Sequence, residues 1–586
     1  MKKLYVMLSM LFAFGTAANA IPARKLQKVI TLANGTQVTA DLRGDEYLSW
    51  WEGADGTTYR ETSGDNSVYE AFNLESIRPI AEARRAKVEA DRSARLNRVK
   101  RSLTVDGGMM RALGGNHITY KGVKKGLVVL VDFKNKKFAD DHDKAYYEKI
   151  INGKDFTMQD GSKTYVGSVR DYFLAQSNGQ FELDFDVVGP VTMSQNYGYY
   201  GQDNGVQKDV NVDKMIKEAC DAIQNEVNLA DYDWDGDGEA DQVFFLYAGL
   251  GQASGGAVST IWPHESKLQY WSSGRLSYST GKVNTYACAN ELQPQSQGSS
   301  YYIPAGIGTI CHEFSHCLGF PDMYDTNGQV LYGMSIWDLM DQGSYLDDGF
   351  CPCNYTAYER IYAGWVEPIE LSDPATVKSM QSSSDYGRPF IMYNYKNTNE
   401  FFLLENRQNT GWDAELYGCN GMLITHVDYD LTAWSNNVVN ASGEKRQRCT
   451  VVCADGTQGN TSVQQLSGDP YPYVSKGVTL NDEFTDDSDP AAKLYYKNSD
   501  GTYYLGIPLT EIKRNNDKTI SFLVCGGDDS NVLDNTYQVV DGINTVNAGV
   551  KSTDNRIFSI DGRYLGTDAN RLGKGIYVVG GKKIVK

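Results

Sequence analysis

Several things are scarce in this chain, and each scarcity excludes something. Proline is rare, 15 in 586 residues, which argues against a proline-rich spacer or a collagen-like repeat. Basic residues are outnumbered, 56 Lys and Arg against 74 Asp and Glu. The formal charge of −18 gives no electrostatic footing for a nucleic-acid partner. No stretch beyond the first twenty residues is apolar and long enough for a membrane helix. No cysteine precedes Cys220, so a thiol early in the chain cannot serve as a metal ligand or switch. Histidine is rarest of the reactive types at six, so any regular spacing among them carries information.

What is abundant points to β structure. There are 58 Gly and 39 Tyr, with turn pairs at Asn34-Gly35 and Asp55-Gly56. A chain of 586 residues exceeds one hydrophobic core, so several domains are expected. Residues 1–20 read as a secretory signal: Lys2 and Lys3, an apolar run from Leu4 to Phe14, and the small-x-small site Ala18-Asn19-Ala20. The mature chain would then begin near Ile21. Residues 21–80 alternate as a β-meander. Residues 81–101 form a charged helix former with eight Lys or Arg, read as a cleavable connector in a propeptide spanning 21–110. Gly107-Gly108 and Gly114-Gly115 follow as flexible punctuation.

From 111 to 368 strands and helices interleave. Gly126–Phe133, Phe181–Val188 and Gln242–Tyr247 are expected strands; Val169–Gln176, Asn211–Asn228 and a segment starting near Ile307 are expected helices. Residues 369–526 are mostly β, including Phe401–Glu405, Met422–Val427 and Thr519–Val524. Residues 527–586 read as a linker and a small β domain. Ten cysteines in an exported chain permit disulfides, with no pairing deducible.

The strongest signal is CHEFSHCLGFPDMYD, residues 311–325. His312 and His316 are four apart and share one helix face, where two imidazoles can grip a zinc ion. Glu313 stands beside the first ligand, placed to take a proton from a zinc-activated water. Gly319 can end the helix in a left-handed turn that swings Asp322 back as third ligand, leaving a fourth position open. Ordinary surface histidines, or a structural zinc site, are the alternatives. The latter more often uses CxxC pairs, which are absent.

A second metal pattern is DYDWDGDGEAD, residues 231–241. Asp233, Asp235, Asp237 and Asp241 fit an oxygen-rich calcium loop with Gly238 at the sharp turn. The twelfth position is Phe244 rather than a bidentate Glu, so it is not a full EF-hand. The alternative is an Asp/Gly-rich surface turn. His264, in IWPHES, is a cleft residue or a satisfied structural histidine. His117, His142 and His426 have no ligand-like spacing.

The chain resembles the M6 peptidases, immune-inhibitor-A-like members of the metzincin group. The blocks that carry the resemblance are HEFSHCLGFPDMYD, WDLMDQGS, DYFLAQSNGQFELDFDVVGPV (Asp171–Val191), IWPHES, FFLLENRQNTGWD (Phe401–Asp413) and GMLITHVD (Gly421–Asp428). GDEYLSWWE (Gly44–Glu52) is similar to the family's propeptide region. The resemblance implies that His312, His316 and Asp322 bind zinc and that Glu313 is general base. It also implies that Met340 is the apolar base beneath the site; Tyr345 is a candidate to stabilise the tetrahedral intermediate. Cys311 and Cys317 flank the ligands as disulfide partners or as buried small apolar residues. Arg556–Lys586 resembles a type nine secretion sorting domain, with a plain β-hairpin tail as the alternative.

The expected fold is a multidomain α+β chain: a metzincin-like zinc protease domain (a twisted sheet plus an active-site helix) flanked by a β-rich propeptide, a β-rich accessory region and a small β C-terminal domain. The expected function is a secreted zinc-dependent endopeptidase made as a zymogen. Its partners would be protein or peptide substrates, its own propeptide as inhibitor and the secretion machinery. It would pass through the periplasm to the medium or the outer surface. Inhibition without a thiol requires a carboxylate, Asp45 or Glu46, or steric blockage. A binding or adhesion protein on an inactive scaffold, and a hydrolase of glycan esters, are the competing readings.

Overall fold

The structure is a computed structural model. It describes residues 18–19, 21–62, 68–85 and 120–537, apart from 205–206, 297–298, 300, 328–330, 417, 442–445 and 459–462, together with the backbone of four short strands between 557 and 585. Most of the signal, the connector from 86 onward and His117 lie outside the described residues. The chain divides into two compact units, 1–536 and 537–586.

The central sheet is built from β1 (Ala18–Asn19), β2 (Gly122–Asp132), β3 (Phe181–Thr192), β4 (Val243–Leu250), β5 (His264–Lys267), β6 (Thr285–Pro294) and β7 (Tyr302–Pro304). Its order is β1-β5-β6-β4-β2-β3, with β7 also paired to β6. Strands β3, β2, β4 and β6 run parallel. β5 runs antiparallel to β6, and β1 runs antiparallel to β5. The inner strands read as unbroken apolar runs because both faces are covered: Leu127 to Val131 are each at most 1% exposed.

Four helices position the sheet and the site: α1 (Lys144–Asn152), α2 (Val169–Gln176), α3 (Val212–Ile223) and α4 (Gly308–Cys317). α2 starts where Ser168 and Asp171 form a reciprocal capping box. α3 buries Val212, Met215, Ile216, Ala219, Cys220 and Ile223, one stripe at helical spacing. That stripe packs in the core containing Leu127, Val129, Phe245 and Tyr286. The helix expected to reach Asn228 stops at Ile223, where the apolar stripe ends. α4 belongs to the other face, in a core with Val128, Phe185, Phe244 and Ala287. Its start is pressed against a neighbouring loop: a Cβ on Gly308 would lie 1.9 Å from the Ser344 carbonyl oxygen, so only glycine fits.

Before this domain, residues 27–71 form a five-stranded antiparallel meander in chain order, with Gly35 at φ 81° and Gly56 at φ 79° in its turns. After it come two sheets. One joins Ile369–Glu370, Phe390–Tyr393, Glu400–Arg407, Gly421–Asp428 and Cys449–Val451. The other joins Ala375–Met380, Leu509–Arg514, Ile520–Val524 and Val532–Leu533. Val532 and Leu533, assigned to the linker on composition, pair with Thr376 and Val377, so the sheet extends past residue 526. The second unit contains a four-stranded sheet of Ile557–Ser559, Tyr564–Gly566, Ile576–Val579 and Lys582–Val585. Among the described residues no helix is long and apolar enough to cross a membrane.

Candidate metal centre and active-site cleft

α4 carries His312, Glu313 and His316 wholly inside the protein, at 0, 0 and 3% exposure. The two imidazole rings stand 5.0 Å apart, nearly perpendicular. The helix ends after Cys317, and Gly319 takes φ 89°, the left-handed turn that only glycine adopts at little cost. The chain then returns Asp322. Its Oδ1 lies 3.2 Å from His312 Nε2 and 3.5 Å from His316 Nε2. The three donor atoms fall within 4.8 Å of one another.

The surroundings show what this triangle is built for. His312 Nδ1 meets the Leu339 carbonyl at 2.8 Å and His316 Nδ1 meets the Phe320 carbonyl at 2.8 Å. A carbonyl only accepts, so each Nδ1 carries the proton and each Nε2 presents a lone pair inward. Neither His312 Nε2 nor Asp322 Oδ1 makes a hydrogen bond. Two nitrogen lone pairs and a carboxylate oxygen converging in a buried pocket repel one another unless a cation lies between them. Two imidazoles and one carboxylate, each with an oriented outer shell, fit zinc.

Asp322 is clamped from far along the chain. Asn437 donates from Nδ2 to Asp322 Oδ2, and its Oδ1 accepts the Asp322 backbone N–H at 2.6 Å. Burial alone pushes the Asp322 carboxyl up. Positive charge on the His316 and His312 imidazoles, when they are protonated, and the Asn437 bond outweigh it and hold the group below the ordinary carboxylate range. Glu313 goes the other way: burial raises its carboxyl well above the usual range, with a backbone N–H from Ile21 opposing and the charges of Asp322 and Glu265 adding. Met340 is fully buried; its carbonyl accepts the Met323 N–H at 2.9 Å, and the adjacent Leu339 carbonyl is the one that holds His312.

The cleft is filled by the chain itself. The Ile21 N–H donates to Glu313 Oε1 at 2.8 Å. Trp262 Nε1 donates to the Ile21 carbonyl at 3.1 Å, and Tyr345 Oη to the Pro22 carbonyl at 2.8 Å. Arg24 N–H donates to the Ala253 carbonyl at 3.0 Å. Just before Ile21, Ala18 and Asn19 pair with Ser266 and Glu265 on β5. Of the two carboxylates expected to address the site, Asp45 is engaged elsewhere, while Glu46 feels the charge of Asp322 and its buried Oε2 makes no hydrogen bond. Asp45 accepts N–H groups from Tyr47 and Leu48 at 3.0 and 3.2 Å and ion-pairs with Arg85. The Glu46 carboxyl is buried and raised well above its ordinary value by that burial, with Asp45 adding more than Asp322.

Asp233, Asp235 and Asp237 gather their carboxylates within 4.8 Å, whereas Asp241 stands outside that group and accepts the Trp234 N–H at 2.5 Å. His264 is structural: it bridges the Trp262 carbonyl at 2.6 Å and Tyr286 Oη at 2.9 Å, and burial lowers it to about 4. His142 and His426 pair with Glu291 and Glu400. Cys311 and Cys317 are unbridged thiols, Cys311 wholly inside the core.

Trp262 lay within IWPHES and Tyr345 just past WDLMDQGS, so their neighbourhoods were visible in the sequence. Asn437, 115 residues from its carboxylate, had no local signal.

A buried pair of histidines, a carboxylate and an adjacent glutamate at the edge of a cleft is the apparatus of a metal-dependent hydrolase. Comparison with known proteins narrows that class. Residues 121–364 match the immune inhibitor A peptidase M6 catalytic domain, so the chain carries a peptidase M6 domain over that span. The chain is 27% identical over 297 residues to the pre-pro-metalloprotease PrtV of two Vibrio cholerae serotype O1 strains, covering 43% of this chain and 31% of PrtV. It is 26% identical over 304 residues to immune inhibitor A of Bacillus thuringiensis subsp. alesti, covering 42% of this chain and 41% of that protein. The match thus spans less than half the length of each relative.

Proposed function

We propose that this protein is a secreted zinc endopeptidase made as a zymogen, with His312, His316 and Asp322 as metal ligands and Glu313 as general base. The observation that carries this reading is the convergence of two inward lone pairs and a carboxylate oxygen beside a buried glutamate. Zinc held there would supply Lewis-acid polarisation of the scissile carbonyl and make the attacking water more acidic. Glu313 takes the proton of that water and returns it to the leaving nitrogen. The Ile21 nitrogen, 2.8 Å from Glu313 Oε1, sits where such a leaving nitrogen would be. With the signal removed, β5 offers this edge to a polypeptide in antiparallel pairing, as it does here to Ala18 and Asn19. Tyr345 Oη, which reaches a carbonyl just past Glu313, serves to orient the substrate backbone.

Latency follows from the same contacts. Once the signal is removed ahead of Ile21, residues 21–24 occupy the cleft like a retained product, and the meander of 27–71 anchors them. Asp233, Asp235 and Asp237 hold calcium in this reading, and the strands between 557 and 585 form a sorting domain for export across the outer membrane.

The test is hydrolysis of casein by the propeptide-free protein, with and without a zinc chelator, beside Glu313→Ala. Activity lost to the chelator, restored by zinc and missing in the variant is the expected result. Activity that survives both changes overturns the reading. Residues 21–85 added in trans suppress the hydrolysis; a stoichiometric excess without effect removes the latency part.

A further inference from the structure

The occupied cleft also shows how far its recognition extends. Past Ile21, Arg24 sends its side chain into a pocket of the catalytic domain. Nη1 donates to Gln293 Oε1 at 2.6 Å, and Nη2 forms an ion pair with Asp348. The pocket is built in advance. Gln293 is 2% exposed, and its Nε2 donates to the Pro304 carbonyl at 3.0 Å and the Asp348 carbonyl at 2.6 Å, so Oε1 is left facing the guanidinium. Asp347 and Asp348 are both left-handed, at φ 46° and 60°, a conformation disfavoured for residues other than glycine. Lys163 Nζ bridges the two carboxylates at 2.6 Å each and holds them in that arrangement. Two carboxylates against one ammonium leave a net negative charge when Arg24 departs, so the pocket remains an acceptor for a cation. A guanidinium matches it better than an ammonium, since its planar fork reaches Gln293 and Asp348 together.

We propose that Asp348 and Gln293 form a guanidinium subsite on the leaving-group side of the cleft. The mature enzyme then favours polypeptides carrying arginine at the fourth residue after the scissile bond. This rests on the endopeptidase reading, because Ile21 supplies the register: its nitrogen lies on Glu313, which makes Arg24 the fourth residue. Arg24 thus does for the propeptide what a substrate arginine does later, and leaving the cleft opens the subsite.

The experiment uses full-length protein folded first, then cut at a recognition site placed within residues 86–119 and separated from the released segment. Fluorescein-labelled peptides of residues 21–30, with either Arg or Ala at position 24, are titrated by fluorescence anisotropy. The protein is wild type or Asp348→Asn; asparagine tolerates the left-handed backbone, and a melting curve checks folding. The expected result is about tenfold tighter binding of the Arg peptide to wild type, with the preference collapsing in the variant. Equal binding of both peptides, binding of neither, or a preference that survives Asp348→Asn overturns the proposal. Casein hydrolysis by the same preparation reads the endopeptidase function separately. A protein that cleaves casein but binds the peptides equally fails here alone.

Discussion

Replacing Asn437 by glycine removes a side chain that touches no substrate, yet the zinc site should weaken sharply. Asn437 is 1% exposed and gives Asp322 two bonds: one from Nδ2 to the carboxylate, the other accepted by Oδ1 from the backbone N–H. A buried hydrogen bond to a charged group contributes about 1.5–3 kcal/mol. The same range, about 1.4–2.8 kcal/mol, corresponds to the 10–100-fold loss of affinity typical when an outer partner of a metal ligand is removed. Glycine is the better replacement because Asn437 sits at φ 50°; alanine there would add about 1 kcal/mol of backbone strain unrelated to the metal. The assay is competition for zinc against a chelator of known affinity, with casein hydrolysis at saturating zinc alongside. Affinity should fall 10–100-fold in Asn437→Gly. Zinc affinity within about twofold of wild type would refute the argument that Asp322 must be held to serve as a ligand.

Three further outcomes follow from buried groups elsewhere. Arg407 is fully buried and makes a two-point pair with Asp413, both bonds 2.7 Å, while Nη1 holds the Trp337 carbonyl at 2.9 Å. Arg407→Ala strands a buried carboxylate, so chemical denaturation should show a loss of about 3–5 kcal/mol, and a loss under 1 kcal/mol would contradict the pairing. Burial depresses His264 to about 4, below the unfolded value, so its neutral form contributes stability that is lost as pH falls from about 6.5 toward 4. From pH 7 to 5 that is about 2 kcal/mol, read from denaturant midpoints and flattened in His264→Gln; an unchanged pH dependence in that variant would dismiss the assignment. Calcium at about one hundred times its dissociation constant should stabilise the protein by about 2.7 kcal/mol, seen as a raised Tm, with a smaller gain in Asp235→Asn. A Tm indifferent to calcium would leave the Asp233–Asp237 cluster a surface turn.

Much of this arrangement was legible in the sequence because it is local. The i, i+4 histidines share a helix face by geometry alone, and Gly319 marks the turn that returns Asp322. The apolar run at 127–131 announced a buried strand, and the helix expected at Val169–Gln176 is α2. Where local reasoning went astray, distance was the reason. Asp241 fits the acidic pattern, yet the carboxylates within 4.8 Å of one another are those of Asp233, Asp235 and Asp237, and Asp241 accepts the Trp234 N–H. Asp45 looked like a candidate to address the site because it is acidic, but Arg85, 40 residues later, engages it. Val532 and Leu533 look like linker until their partners at Thr376 and Val377 are known.

By itself the sequence determined the candidate ligand set, the candidate base beside it and the succession of elements, since each depends on residues within a turn or a strand of one another. Only the tertiary structure decided what surrounds them: Asn437 on Asp322, the Leu339 carbonyl on His312, and Ile21 in front of Glu313, 292 residues away. Such contacts depend on which surfaces pack together. A single polar residue hundreds of positions from its partner leaves no periodicity by which to find it.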